Sequence, residues 1–168
     1  MDLVALQDRA RRLVGHTDLR DIRLFGLNLD HQAFPTPDGH AQFGDFDLRL
    51  TVSEWASDEP RETVAFVLHL TTNVVEASDE GDPRELVRTF IAYGGLYGLN
   101  DEVRDATRDE LEGFGILIAC MAVWPYMRGT LASALRDMDL HGDLVLPILT
   151  PRELADAIVI VTGDDEVD

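Results

Sequence analysis

Apolar and polar positions alternate most cleanly between residues 43 and 55. Phe46, Leu48, Leu50 and Val52 fall on one side there, and Asp45, Asp47, Arg49 and Thr51 on the other. A period of two with one dry and one wet side predicts a strand whose sheet is covered on one face. Residues 20–31 alternate as well but carry apolar side chains on both sides, Ile22 and Leu24 on one and Phe25, Leu27 and Leu29 on the other. Residues 63–76 are rich in β-branched side chains and largely apolar on both sides, as an inner strand is. Residues 86–99 predict a fourth strand, ending in Tyr93-Gly94-Gly95-Leu96-Tyr97-Gly98. Glycines inside a strand suggest a bulge or the close approach of another backbone. Turns are marked by Pro35, Pro37 and Gly39 in residues 34–40, by Pro60 in the charged stretch 57–61, and by Gly81 and Pro83 in the acidic stretch 77–84.

Elsewhere the period is helical. Leu3, Leu6, Ala10 and Leu13 share one face of a helix predicted over residues 3–14, with Gly15 as its C-cap. Arg9, Arg11 and Arg12 sit near its C-terminus, where the helix dipole favours them. From Glu110 a longer helix begins, with Leu111, Phe114, Gly115, Ile118, Met121, Ala122 and Pro125 along one face, and the pattern resumes at Leu131, Ala134 and Leu135. Pro125 removes a backbone hydrogen bond and predicts a kink, at a cost of about 3 kcal/mol. A turn at His141-Gly142-Asp143 and an apolar run into Pro147 follow. Thr150-Pro151-Arg152-Glu153 has the N-cap threonine, first-position proline and third-position glutamate of a helix start. The last helix is expected to cover Leu154, Ile158 and Ile160.

These elements predict an α+β fold: a four-stranded antiparallel sheet, then a kinked long helix and a last helix, with an extra short N-terminal helix. The chain reads as a single domain over residues 1–168, with a core from about 20 to 160 and an acidic tail at 163–168. Its 168 residues, 45% hydrophobic, are enough to bury a sizeable core.

The net charge of -18 repels phosphate backbones and anionic membrane surfaces, which argues against nucleic acid and membranes as partners. It favours basic or net-cationic polypeptides, or serves solubility alone. All 14 basic residues are arginines, so no lysine is present for Schiff-base or phosphate-loop chemistry. Cys120, the single cysteine, lies in an apolar helical run and reads as a small buried hydrophobe. The start of the chain lacks the basic-then-apolar pattern of a secretion signal. No apolar run looks long enough to span a membrane, and a cytoplasmic location is expected.

Catalytic patterns are hard to find. The five histidines show no metal-ligand spacing, and His69 reads as a satisfied sheet residue. Gly94, Gly95 and Gly98 lack the lysine and helix start of a phosphate loop. Ser53, Ser57, Ser78 and Ser133 have no nucleophile-elbow context. Neither an enzyme, a cofactor nor a metal is expected. The remaining clue is apolar surface on both faces of several strands. Two helices can cover one face; the other meets a second copy of the chain or an apolar ligand, unless all of it folds into one core.

At Trp124-Pro125-Tyr126-Met127-Arg128 the chain resembles the SecB family of protein-export chaperones, which carries an aromatic-Pro-Tyr-x-Arg element in its long helix. The turn at Gly142, the run Leu144-Val145-Leu146-Pro147-Ile148-Leu149 and the last helix follow in the family's order. Gly94-Gly95-Leu96-Tyr97 and Phe46-Asp47-Leu48-Arg49-Leu50 match its fourth and second strands. The resemblance implies a homotetramer, a dimer of dimers, that captures unfolded polypeptide clients without ATP in grooves between helices and sheet. By position it makes Phe46, Leu48, Leu50, Leu96 and Tyr97 groove candidates, with Trp124 and Tyr126 lining or supporting the groove; each is equally a candidate for the core. In a gap-free register the positions through which export members dock the SecA motor fall on Asn28, Gln32, Arg88 and Phe90, none of them acidic. The stretch 99–110 is longer than in export members and the helix at 3–14 is extra. Such features resemble the SecB-like chaperones that guard an antitoxin in toxin–antitoxin systems. The resemblance therefore implies client binding more firmly than SecA docking.

Overall fold

A computed structural model describes residues 2–54, 62–77, 82–138, 140 and 144–161. The predicted turns at 57–61 and His141-Gly142-Asp143, the Gly81 part of the acidic turn and the tail at 163–168 lie outside the described residues.

Helix α1 (Leu3–Ala10) starts where the Asp2 side chain accepts from the Val4 amide. It is shorter than the predicted 3–14. Leu13 N–H bonds back to Ala10 O, three residues earlier, and tight turns carry the chain to Gly15, whose φ of +87° ends the segment. Leu6, Ala10 and Leu13 are buried as their spacing predicts.

Strands β1 (Thr17–His31), β2 (Ala41–Glu54), β3 (Thr63–Glu76) and β4 (Arg84–Leu99) form antiparallel pairs, as expected. Their order in space is β1-β4-β3-β2, a Greek key in which β1 lies beside β4 rather than its sequence neighbour. The sheet has a fifth member, which corrects the four-stranded, all-antiparallel expectation. Strand β5 (Ile158–Val161) pairs parallel with the outer edge of β2, Leu48 opposite Ile158 and Thr51 opposite Val161. The predicted last helix therefore stops short of Ile158 and Ile160. Its start is as read: helix α4 (Pro151–Ala157) has a full capping box between Thr150 and Glu153. Ile158 then turns extended, at φ -80° and ψ 132°. The run Ile158-Val159-Ile160-Val161 is entirely β-branched, and the free edge of β2 supplies the partner that makes a strand the better choice.

The two-sided apolar pattern of β1 has a simple cause. Register shifts fall between Leu19 and Asp21 and between Leu24 and Gly26, leaving Arg20 and Phe25 as inserted residues. Each bulge reverses the inward–outward phase of the strand. Leu19, Ile22, Leu24, Leu27 and Leu29 thus all pair with Tyr97, Gly95, Tyr93, Ile91 and Thr89 on one face.

The long helix is continuous from Arg108 to Arg136. It comprises α2 (Arg108–Phe114), a π turn (Gly115–Ala119) and α3 (Cys120–Arg136). A capping box between Thr107 and Glu110 starts it at Arg108, two residues before the predicted start at Glu110. At 29 residues, with a window of mean hydropathy 1.3, it is long and apolar enough to cross a membrane by length and composition, contrary to the sequence reading. Much of its apolar surface is nevertheless in the core, where Leu111, Phe114, Ile116, Val123, Trp124 and Met127 are all buried, whereas Ile118 is exposed. The departure from α geometry lies at the π turn, where the Cys120 N–H reaches the Gly115 carbonyl. A Cβ on Gly115 would stand 2.8 Å from the Phe66 ring and 3.0 Å from Leu50, so the backbone lies almost on the sheet there. Pro125 sits on the solvent side, and α3 runs through it to Arg136.

Candidate functional site

The helices cover the sheet face that carries Leu48, Leu50, Phe66, Leu68, Tyr93 and Tyr97. Phe114 packs edge-on against Tyr97 and tilted against Phe66, and Tyr93 Oη lies 2.7 Å from Thr130 Oγ1. Burial pushes the Tyr97 hydroxyl up to about 12, with Cys120 adding to the shift, and raises the Cys120 thiol as well.

Among the described residues no helix covers the opposite face, and two hollows follow one another along its strands. The larger, about 510 Å³, has a floor of Ala65, Val67, Gly94, Gly95 and Leu96, with Phe25 and the Asp21–Arg23 ion pair at its edge. The smaller, about 240 Å³, holds His69, Thr51, Thr71, Phe90 and Val161, with the Asp47–Arg49 ion pair beside them. Val67 and His69 are successive outward residues of β3, as Thr51 and Ser53 are of β2. The hollows therefore form one trough, apolar at one end and polar at the other.

Three glycines of β4 shape this region, by admitting side chains rather than another backbone. The bulge that their presence suggested lies on the facing strand, β1. Phe25 lies over Gly94, and Arg20 lies over Gly98, where a Cβ would stand 2.3 Å from its Nε. Gly95, on the helix side, leaves room for the Tyr97 ring.

The polar end is neutral. Arg49 Nε donates to Asp47 Oδ2 at 2.7 Å, and His69 Nε2 lies 3.3 Å from Thr51 Oγ1. Burial, and then the Arg49 charge, holds the His69 pKa below its ordinary value. The ring is therefore uncharged near pH 7.

On the helix side, the aromatic-Pro-Tyr-x-Arg element fastens a loop. Trp124 Nε1 donates to Pro147 O at 3.1 Å and Arg128 Nε to Leu146 O at 2.7 Å. Spaced four apart, the two side chains lie on one stripe of α3. Leu144, Leu146 and Leu149 are buried beneath this clasp, whereas Val145 and Ile148 are exposed.

The sequence-derived site residues fall into two groups. Leu48, Leu50, Tyr97 and Trp124 are at most 3% exposed and fill the core between helices and sheet. Leu48, Leu50 and Tyr97 lie on the covered face and Trp124 on the helix side of the core beneath the 144–149 loop, so none can touch a ligand without the helices or the loop lifting. Phe46 and Tyr126 are exposed on the helix side, Tyr126 stacking loosely on Tyr93, and Leu96 lines the open trough. The structure thus does not bring the seven together. Sequence reasoning missed Phe25, Ala65, Val67 and His69. The signal for Phe25 was the single apolar residue left over once β1 is given a bulge.

Among the described residues, no group of three or more His, Cys, Asp or Glu side chains is placed to hold a metal ion. No protein family's sequence profile matches the chain, and no curated protein matches it. The Greek-key sheet, the long helix laid along one face and the clasped loop have the SecB-like fold. The Mycobacterium tuberculosis Rv1957 SecB-like chaperone, solved with a ChAD peptide from the Rv1956 HigA1 antitoxin, superposes on the chain with a TM-score of 0.67. The two are 21% identical, over 86% of this chain and 98% of that one. A protein of unknown function from Streptococcus agalactiae reaches a TM-score of only 0.35 at 15% identity, over 79% and 97% of the two chains, and supports no conclusion.

Proposed function

We propose that this chain is a SecB-like holdase that captures apolar segments of non-native polypeptides without nucleotide and releases them passively. The observation that carries the reading is the SecB-like fold with an apolar trough left bare on one sheet face. Hydrophobic burial drives capture, and the net charge of -18 steers net-cationic segments toward it. No catalytic step is part of the proposal. An antitoxin is the favoured client, supported by the peptide bound to the structural neighbour, the docked helix α1 and the lack of acids at Asn28, Gln32, Arg88 and Phe90. Export of secreted clients through SecA is the less favoured route. A homotetramer in the cytoplasm is the proposed working form. Its support is apolar surface that one protomer leaves uncovered, since Leu19, Leu24 and Leu27 on the helix side of β1 are 46%, 46% and 38% exposed.

Dilution of a chemically unfolded client into buffer with and without the protein, in the absence of ATP, tests the reading. Suppressed aggregation at about one tetramer per client is expected. A client that aggregates at an unchanged rate would point instead to an assembly subunit whose trough is filled by another protein. Light scattering should give the mass of four chains.

A further inference from the structure

Strand β1 stands at the end of the sheet order, so its outer edge has no partner strand among the described residues. Such an edge is a template for another chain. Leu19, Leu24 and Leu27 lie half-exposed beside it. The two bulges decide which chain fits. Leu19, Ile22, Leu24, Leu27 and Leu29 face the helices, whereas the doublets Arg20-Asp21 and Phe25-Gly26 face the open side, as Arg23 does between them. The doublets are equally far from Arg23. From Thr17 to Leu29 the inward–outward sequence therefore reads the same in both directions about that residue. We infer that β1 pairs antiparallel with β1 of a second copy about a two-fold axis at Arg23, and that the matched bulges fix this register. The inference rests on the homo-oligomer part of the proposed function and names the surface that joins two of its chains.

Side chains directly opposite one another in an antiparallel pair lie on the same face of the sheet. A strand without bulges alternates strictly, so it keeps phase with β1 over residues 26–31 at most before a bulge throws it out. A second copy carries the same irregularities in reverse order and keeps phase from 17 to 29. Leu19 then lies opposite the partner's Leu27, and Ile22 opposite the partner's Leu24. All three exposed leucines are covered in one self-complementary contact. Arg23 meets its own copy on the axis. Each Arg23 keeps its ion pair with Asp21, so the four charges there sum to zero. Pairing about the Phe25–Gly26 junction does less well: faces match only over 21–30, Leu19 stays bare, and Asp21 opposes Asp30.

Disulfide trapping in the full-length protein tests the register, with Cys120 buried and silent. Arg23→Cys should form an inter-chain disulfide under mild oxidation, because position 23 faces itself across the axis at about 4.5–5.5 Å between Cα atoms. Asn28→Cys should not, because the two copies of position 28 stand ten residues apart along the pair, about 33 Å. A co-refolded mixture of Leu19→Cys and Leu27→Cys proteins should cross-link to heterodimers, whereas neither protein alone should. That mixture decides the matter should Arg23→Cys not fold. Absence of both cross-links in a protein that still scatters light as four chains overturns the register and leaves the oligomer standing. Equal cross-linking of Arg23→Cys and Asn28→Cys overturns it as well. A protein that scatters as a monomer and forms neither cross-link overturns both.

Discussion

The ring of Phe25 rests on the bare Cα of Gly94: a Cβ there would stand 2.4 Å from Phe25 Cε2. Phe25 is the inserted residue of a bulge in β1, and Gly94 is the neighbouring position of β4. A one-residue insertion in one strand and a missing side chain in the next therefore cooperate to set an exposed aromatic on the open face. The bulge also returns the remaining leucines of β1 to the other face.

Gly94→Ala and Gly115→Ala make the same chemical change with unequal results. At Gly94 the obstacle is a ring 61% exposed, free to swing into solvent, so the expected stability loss is under about 0.5 kcal/mol. At Gly115 the obstacles are Phe66 and Leu50, each 1% exposed. Overpacking there should cost about 1–3 kcal/mol, with up to about 1 kcal/mol returned by helix propensity. Urea denaturation of the two variants measures the difference; equal losses would mean that Phe25 is as tightly held as the core.

Trp124→Phe and Arg128→Met each leave a loop carbonyl without its donor. The expected costs are about 1 kcal/mol for the neutral bond and about 1.5–3 kcal/mol for the charged one, less what water recovers at the half-buried Arg128. Hydrogen exchange of the amides in residues 144–149 should quicken in both variants while exchange in β3 stays slow. Uniform quickening would show that the loop opens only with the whole domain.

Acidification should destabilise the fold in two stages. The His69 pKa is lowered on folding from 6.5, so the unfolded chain takes up the proton first and stability falls as the pH drops below about 6.5. The Glu76 carboxylate accepts from the Thr36 amide and hydroxyl, both at 2.8 Å, and pairs with Arg84 at 3.1 Å. The amide bond leads in holding its pKa below 4.5, so its contribution is present above that value and is lost as the pH falls further. In denaturation series across pH, His69→Gln should abolish the upper stage and Glu76→Gln the lower.

Cys120 is 1% exposed and its thiol pKa is pushed up by burial. A thiol reagent at pH 8 should label the native protein only as fast as the core opens, and urea should raise the rate in step with unfolding. Immediate labelling would mean that α3 lifts from the sheet independently.

Much of this was legible in the sequence, for identifiable reasons. The bounds read for β3, residues 63–76, match because an inner strand is fixed by its own β-branched pattern. The start of α4 was readable because a capping box is written within four residues, Thr150 to Glu153. The end of α4 was not, because Ile158 to Val161 become a strand only by meeting the free edge of β2, far away in sequence. The phase of β1 was hidden for a related reason: strict alternation cannot represent an inserted residue, and nothing local marks Phe25 as one. The site suffered most. Leu48, Leu50, Tyr97 and Trp124 have the residue types of a groove lining, but those are equally the types of a core, and only the position of the helices separates the two uses.

The clasp between Trp124, Arg128 and the loop holds the carbonyls of Leu146 and Pro147, groups that every amino acid possesses. Three buried leucines beneath add the rest of the attachment. Val145 and Ile148, 54% and 80% exposed, take no part in it. The surface they display can therefore change from lineage to lineage while the helix keeps the same grip, so new preferences can be explored there without the architecture being renegotiated.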